Sequence, residues 1–409
     1  MPQTETRSMR GFWSVFIGQA FSLLGSRLVQ FSLVWWLTST TGSASMLTFA
    51  SIMALLPQVF ISPFAGALID RWDRKKVLIA VDAVNALAVV GLGALFARGI
   101  AQPWHVFFVM FIRATGGAFQ WPAMQATTPL MVDKSTLSKV AGLNQALMGV
   151  AAIVAPPLGV LLMDFLPLQQ VLMVDVTTAA LAIIPLLLVN IPQPNTEART
   201  GKTVIADMKE GFAFIRGWTG LLIVMGVAMV FNLLVVPAIS LTPILVTEHF
   251  AGGSMSYAVI EAAMGIGMVA GGILLGVWGG FKSKIATALL GAVGLGVGTG
   301  IIGLAPSNMY YLAVAGMGFA GVMSTIVNGS FFALIQSAVP AEIQGRVISI
   351  LLSGTAAMAP IGLAIAGPLA DILGVRVWFL AGGSLIIIMG IVGFFVPAVM
   401  NMEKLGENQ

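Results

Sequence analysis

The 409-residue sequence has no cysteine, two histidines and three tyrosines, and only 9% of it is charged. Without cysteine there are no disulfides and no thiolate metal sites. The two histidines, His105 and His249, have no cluster of acids in sequence reach, so no metal, no cofactor and no Ser-His-Asp chemistry is expected. So little charge excludes an ordinary soluble domain, where about a quarter of residues are charged. No Gly-x4-Gly-Lys-Ser/Thr pattern occurs, so the phosphate cradle of an ATP-driven pump is not expected. What remains is grease: 58% of residues are apolar and the mean hydropathy is +0.98. One bilayer crossing takes about 20 apolar residues, so the chain has room for about a dozen crossings with short loops.

Apolar runs predict helices at about 11–39, 43–69, 77–98, 104–128, 137–164 and 168–190, then at about 218–247, 254–280, 285–304, 308–337, 343–372 and 374–400. The connections between the first two and between the last two are only a few residues long. The longest polar interval, Gln193–Gly217, falls near the middle and reads as a linker carrying an amphipathic surface helix, Val204 to Ile215. The expected organisation is an N-terminal six-helix bundle (1–192), a cytoplasmic linker (193–217) and a C-terminal six-helix bundle (218–409). The opening "MPQTETRSMRGFW" has no small-residue cleavage site after a short apolar core, so no removable signal peptide is expected.

The net charge of +4 and the pI near 9.5 do not imply nucleic acid. With both termini placed inside, sixteen of the twenty Lys and Arg fall in cytoplasmic segments. That asymmetry orients a multi-pass protein in a membrane. The halves also echo each other. Gln125 and Pro129 in "AMQATTPLMVDKSTLSKV" match Gln336 and Pro340 in "LIQSAVPAEIQGRVISI", and "AAIVAPPLG" (Ala151–Gly159) echoes "TAAMAPIG" (Thr355–Gly362) at an offset of about half the chain. Duplicated bundles with a site between them are a common transporter plan. The glycine runs Gly265–Gly276 and Gly291–Gly300 lie inside apolar helices and read as packing faces rather than nucleotide loops.

Six of the thirty-six formal charges crowd into "GALIDRWDRKKVLIA" (Gly66–Ala80). Gly66-Ala-Leu-Ile-Asp70-Arg71-Trp-Asp-Arg74-Lys75-Lys76 resembles the loop signature of the major facilitator superfamily. Arg113 with Gly116 and Gly117 is similar to that family's helix-four arginine motif. Ala155-Pro156-Pro157-Leu158-Gly159 resembles the helix-five motif of its antiporters, with Ala at a usual Gly position. "FQWPAMQATTPLMVDKSTLSKVAGLNQ" and "IEAAMGIGMVAGGILLGVWGGFKSK" further resemble the Mef-type macrolide exporters of the third drug:proton antiporter group. The second-half loop, Gly276 to Lys284, has no acid matching Asp70. The resemblance implies an all-α integral membrane fold of twelve helices in two six-helix bundles with pseudo-two-fold symmetry. It also implies an intracellular gate built on Gly66, Asp70, Arg71, Arg74, Lys75 and Lys76. In that gate Gly66 allows close approach of helices two and eleven, and Asp70 accepts N–H groups at the start of helix eleven, near Ala341 to Gly345. The four cations are expected at the cytoplasmic surface, paired with Asp73, Asp82 or anionic lipid.

Charges inside the membrane mark function or a structural pair. Arg27, Arg113, Asp82 and Asp175 all belong to the first half, and pairing among them is expected. At 1.5 Å per residue Asp82 lies about 8 Å from the inner face and Arg113 near mid-depth. Glu261, about 10 Å from the outer face, has no obvious cation in its own half and ranks first as a proton-coupling residue, ahead of Asp175 and Asp82. Gln19, Gln30, Gln120, Asn144, Asn232, Asn328 and Gln336 are the candidate cavity amides, and adaptable Met with Phe and Trp suits a loosely specified lipophilic pocket.

The expected function is proton-coupled efflux of lipophilic or amphipathic small molecules, macrolide-like drugs among them, by alternating access. The expected protein is a non-enzymatic monomer in a bacterial cytoplasmic membrane with both termini inside, whose partners are cargo, protons and lipid. Alternatives are export of a siderophore or lipid-like metabolite, facilitated movement without protons, or a non-transporting membrane sensor or enzyme.

Overall fold

The computed structural model describes residues 9–69, 72–133, 136–189, 191, 212–339 and 341–403, with backbone alone at Ser62, Pro63, Gly66, Ala67, Ser138, Ala341, Glu342, Gly345 and Arg346. These residues are helical throughout, without strands. Twelve long helices run in chain order: α1 (Met9–Thr41), α2 (Ala44–Ile69), α3 (Arg74–Ala97), α4 (Pro103–Met131), α5 (Leu137–Phe165), α6 (Leu168–Leu188), α7 (Thr219–Ser240), α8 (Ser254–Trp278), α9 (Lys284–Leu304), α10 (Tyr310–Ala338), α11 (Ala341–Leu373) and α12 (Val375–Phe395). Eleven of them contain a stretch long and apolar enough to cross a membrane. The other, α4, is diluted by Arg113, Gln120, Gln125 and three threonines. Large apolar side chains such as Phe60, Leu87, Phe165 and Val277 stand exposed along the helices, as they do where lipid is the solvent.

The short connections depend on glycine. Gly42 (φ 59°) turns the chain between α1 and α2, and Gly374 (φ 83°) is the whole connection between α11 and α12. Both occupy a left-handed conformation that costs other residues energy. Two helices break earlier than their apolar runs suggest. α7 ends at Ser240 and is followed by a short turn and a π-helical turn, Leu245–His249. Pro237 and Pro243 each lack the N–H that a continuous ladder needs there. Pro397 interrupts the last helix in the same way, so Pro397–Met400 restarts beyond α12. Of the linker helix expected at Val204–Ile215, only residues 212–215 are described; they are helical and continue to 217.

Contacts divide the chain into two compact units, Met1–Leu37 with Met53–Thr200, and Thr38–Ile52 with Gly201–Gln409. In the first unit, apolar side chains of α1 to α6 meet in one core, with Phe12, Val15, Ile69, Leu78, Ala123, Val140 and Leu186 buried. In the second, Leu221, Ile285, Leu334, Ile335, Val347 and Leu351 form a comparable core together with Ile215 and Met402.

The second unit packs on small residues. A Cβ at Gly267 would lie 2.0 Å from the Gly318 carbonyl oxygen, and one at Gly271 2.5 Å from that of Val322, so α8 and α10 touch backbone to backbone. Gly296 and Gly383 bring α9 against α12 in the same way. The glycine runs are therefore packing faces, although Gly276 and Gly300 meet nothing within 4 Å. The α1–α2 turn belongs to this unit as well. The Asp371 carboxylate accepts from the Ala44 N–H (2.7 Å), the Ser45 N–H (3.1 Å) and the Ser43 hydroxyl (3.3 Å), an anion on the N-terminus of α2.

Two measurements test this packing. Gly267→Ala is expected to lose about 1–3 kcal/mol through overpacking, whereas Gly300→Ala should be neutral or mildly stabilising, as read by thermal unfolding of the detergent-solubilised protein. Burial, and after it the charge on Asp371, pushes the Glu248 carboxyl above its ordinary range. Its ionised form therefore weakens the native state, and the penalty disappears as pH falls through that raised value. Glu248→Gln should raise the melting temperature at neutral pH and leave it unchanged in acid.

Candidate functional site

The charged stretch after α2 ties elements of the first unit together. Asp73 caps α3, accepting from the Lys76 N–H at 3.2 Å, and forms an exposed pair with the Lys76 ammonium at 3.8 Å. Arg74 corrects the surface expectation: it is buried, and its guanidinium donates to the Ala126 carbonyl of α4 at 2.8 Å. Lys75 donates to the Leu187 and Val189 carbonyls at 3.0 and 2.9 Å, where the C-terminus of α6 attracts a cation. Neither side chain turns to Asp82, which lies eight residues beyond Arg74 along α3. Gly66 is described through its backbone only, and Asp70 and Arg71 lie outside the described residues.

Deeper in the unit, two carboxylates have different fates. Asp175 of α6 is ion-paired with Arg113 of α4, their side chains 4% and 10% exposed. Ser26 completes this set: its hydroxyl donates to Asp175 (2.9 Å), and its carbonyl accepts from Arg113 (3.1 Å). Pairing among the membrane charges is thus realised in one pair. Asp82 is 2% exposed and is held by amides. Gln19 of α1 donates to one carboxylate oxygen and Gln120 of α4 to the other, each at 2.9 Å, and the Gln120 amide also donates to Gln19 Oε1 at 3.1 Å. One helical turn along α3, Asn85 Oδ1 is buried without a hydrogen-bond partner among the described residues. It fits beside Gly116, where a Cβ would lie 2.9 Å from it. Arg27 is exposed and makes no hydrogen bond or ion pair among the described residues.

Gln19, Gln120 and Ser26 reach from these groups into a cavity of about 210 Å³, lined also by Ser22, Trp121, Gln125, Thr128 and Asn144 with apolar neighbours that include Phe16, Met124 and Met148, while Asp82, Arg113 and Asp175 stay behind its wall. Of the amides expected in the first half, Gln19, Gln120 and Asn144 line it, and Gln30 does not. Gln125 and the serines of α1 join them; their signal was the recurrence of small and polar residues on one face of α1, at 19, 22 and 26. The helix-five motif serves packing: Ala155 is buried, and a Cβ at Gly159 would sit 3.0 Å from the Phe31 ring of α1.

The second unit holds a larger cavity, about 300 Å³, and a greasier one. Asn232, Asn328 and Thr355 are the polar members of a lining dominated by residues such as Phe231, Phe331, Phe332, Met225 and Met389. Both asparagine amides turn back onto their own helices, to the Ala228 carbonyl (3.0 Å) and the Ser324 carbonyl (2.8 Å). Gln336 is exposed and lines neither cavity. Glu261 of α8 is hydrogen-bonded with the Tyr257 hydroxyl one turn away. No group of three His, Cys, Asp or Glu side chains that could hold a metal occurs among the described residues.

Comparison with known proteins agrees with this arrangement. The Major Facilitator Superfamily description matches residues 15–362. Macrolide efflux protein A of Streptococcus pyogenes is 33% identical over 397 residues, covering 96% of this chain and 97% of the relative. The multidrug efflux pump Tap of Mycolicibacterium fortuitum is 24% identical, covering 93% and 94%. Among solved structures, a bacterial homologue of the lysosomal transporter Spinster aligns with a TM-score of 0.70 at 12% identity, covering 99% of this chain and 98% of that one, which supports the fold.

The ion pair can be tested directly. Arg113→Ala should cost about 3–5 kcal/mol because it leaves a buried carboxylate uncompensated. Arg113→Lys should recover little of that, since a lysine cannot serve both Asp175 and the Ser26 carbonyl with a planar fork. The double variant Arg113→Ala/Asp175→Ala should be more stable than Arg113→Ala alone, as measured by thermal unfolding.

Proposed function

For this chain, which belongs to the major facilitator superfamily, we propose proton-coupled export of lipophilic and amphipathic small molecules, macrolides among them, by alternating access of its two six-helix groups. The observation that carries the reading is the cavity of the first unit. Gln19, Gln120 and Ser22 of its polar wall hold a buried carboxylate through neutral hydrogen bonds, in a chain matched over nearly its whole length by drug-efflux proteins. A buried acid with no cation bonded to it favours the neutral form when its surroundings dry and the ionised form when water reaches it. Alternating those surroundings moves a proton, and the membrane's proton gradient then supplies the work.

Cargo selection follows from the two cavities. Amides, hydroxyls and Trp121 in the first unit offer hydrogen bonds, and the aromatic and methionine-rich lining in the second offers adaptable apolar surface. The Gly66–Lys76 stretch is the proposed cytoplasmic gate, with Asp70 its central anion. Asp82, Asp175 and Glu261 are the candidate proton carriers, and the bias of Lys and Arg supports a proposed orientation with both termini on the cytoplasmic side of a bacterial inner membrane. The working unit is proposed to be the monomer.

Expression in an efflux-deficient bacterial host is expected to lower accumulation of erythromycin and raise resistance to it. A protonophore should abolish both effects. Efflux that persists with the gradient collapsed would reject proton coupling, and unchanged accumulation of erythromycin and of a panel of lipophilic drugs would reject the exporter reading.

A further inference from the structure

We propose that Asp82 is the carboxylate that exchanges a proton against cargo, and that Gln19 and Gln120 are positioning residues that report its state to the cavity by turning over their amides. The inference rests on the export reading above and goes beyond it to name the group and the relay.

The orientation of the amides carries the argument. A carboxylate accepts and cannot donate, so both amides present Nε2 to Asp82. With Gln120 Nε2 also donating to Gln19 Oε1, the acceptor left for the cavity is Gln120 Oε1, which has no hydrogen-bond partner among the described residues. Once Asp82 is protonated, its O–H needs an acceptor. An amide that turns over supplies Oε1 to Asp82 and swings its N–H donors towards the cavity. Asn85 Oδ1, buried and without a partner one turn away, is a second acceptor close at hand. The same two side chains therefore offer the cavity an acceptor when Asp82 is ionised and donors when it is not.

Formal charge points the same way. The charged groups facing Asp82 from the packed helices are Arg113 of α4 and Asp175 of α6; Gln19 and Ser22 of α1 and Asn85 of α3 are neutral. Because Arg113 and Asp175 neutralise each other, the buried set carries one negative charge while Asp82 is ionised and none once it is protonated. Arg27, eight residues beyond Gln19 on α1, is exposed and outside that set. An amine-bearing cation with an N–H to donate is thus held by the ionised state and released by the protonated one, which is the sign an exchanger needs. The chemical step is a single proton transfer. When Gln19 or Gln120 turns aside and water from the cavity reaches Asp82, a hydronium gives its proton to a carboxylate oxygen, one O–H bond forms, water is left, and no electrons change hands. The reverse step on the other side of the membrane restores the carboxylate.

The test uses the full-length protein. Erythromycin, a lipophilic tertiary amine, should bind the solubilised wild type less tightly as pH falls, and the protonated carboxyl band of Asp82 in infrared difference spectra should titrate over the same range. Gln19→Met and Gln120→Met keep side-chain length and leave Asp82 in place. Each removes a donor to the ionised form and should move the infrared midpoint upward by about one pH unit. Asp82→Asn should abolish the band and the pH dependence of binding. It should also reduce gradient-driven erythromycin movement in proteoliposomes to the rate without a gradient, while counterflow exchange persists. Glu261→Gln should leave the infrared midpoint unmoved.

Gradient-driven transport by the wild type together with an unmoved midpoint in both Met variants, or a wild-type pH profile in Asp82→Asn, overturns this inference and leaves the export reading standing. A wild type that shows no gradient-driven movement overturns the export reading and this inference with it. If Asp82→Asn fails to reach the membrane, the midpoints of the Met variants decide alone.

Discussion

Everything polar in the first unit is arranged around one constraint: a charge within hydrocarbon must be answered by protein, because water is not there to do it. Arg113 and Asp175 answer each other, and Ser26 takes up one remaining capacity of each. Asp82 is left as the odd charge, and neutral amides hold it in place of a cation. An ion pair is stable in one state. A carboxylate on amides has neutral partners that can turn over, because each amide carries both donors and an acceptor. The first arrangement braces the unit and the second can respond.

The two units spend their side chains differently. In the second, helices approach so closely at Gly267, Gly271 and Gly296 that backbone meets backbone, and there is no room for a polar network between them. Its cavity is correspondingly apolar. In the first, Gly18 likewise meets the backbone of α6 at Leu181, while Gly25 beneath Thr178 and Gly116 beside Asn85 leave space for a polar group. The basic residues at the start of α3 are a third use of polarity. Arg74 and Lys75 bond carbonyls of α4 and α6, so basic residues at the start of α3 fasten three helices at one end.

The amino-acid order alone determined the class of molecule. Twelve apolar runs, a polar interval near the middle and a one-sided distribution of Lys and Arg follow from bilayer thickness and charge retention, which act on composition and spacing regardless of detailed packing. The motif around Arg113 and the polarity of Gln19, Gln120 and Asn144 were legible for the same reason, since a polar residue in such a run needs a cause. Tertiary structure decided the rest. Which acid Arg113 takes depends on the rotation and depth of α4 and α6, which spacing along one helix does not specify. The amides that converge on Asp82 from α1 and α4 were hidden in the sequence, because charge counting within a half does not see neutral partners. Asp371 was invisible as a capping anion, since its partners lie more than three hundred residues away at the start of α2. Gln30 and Gln336 read like Gln19 and Gln120, yet they line neither of the two cavities described, because a helix presents one face to a cavity and sequence does not say which.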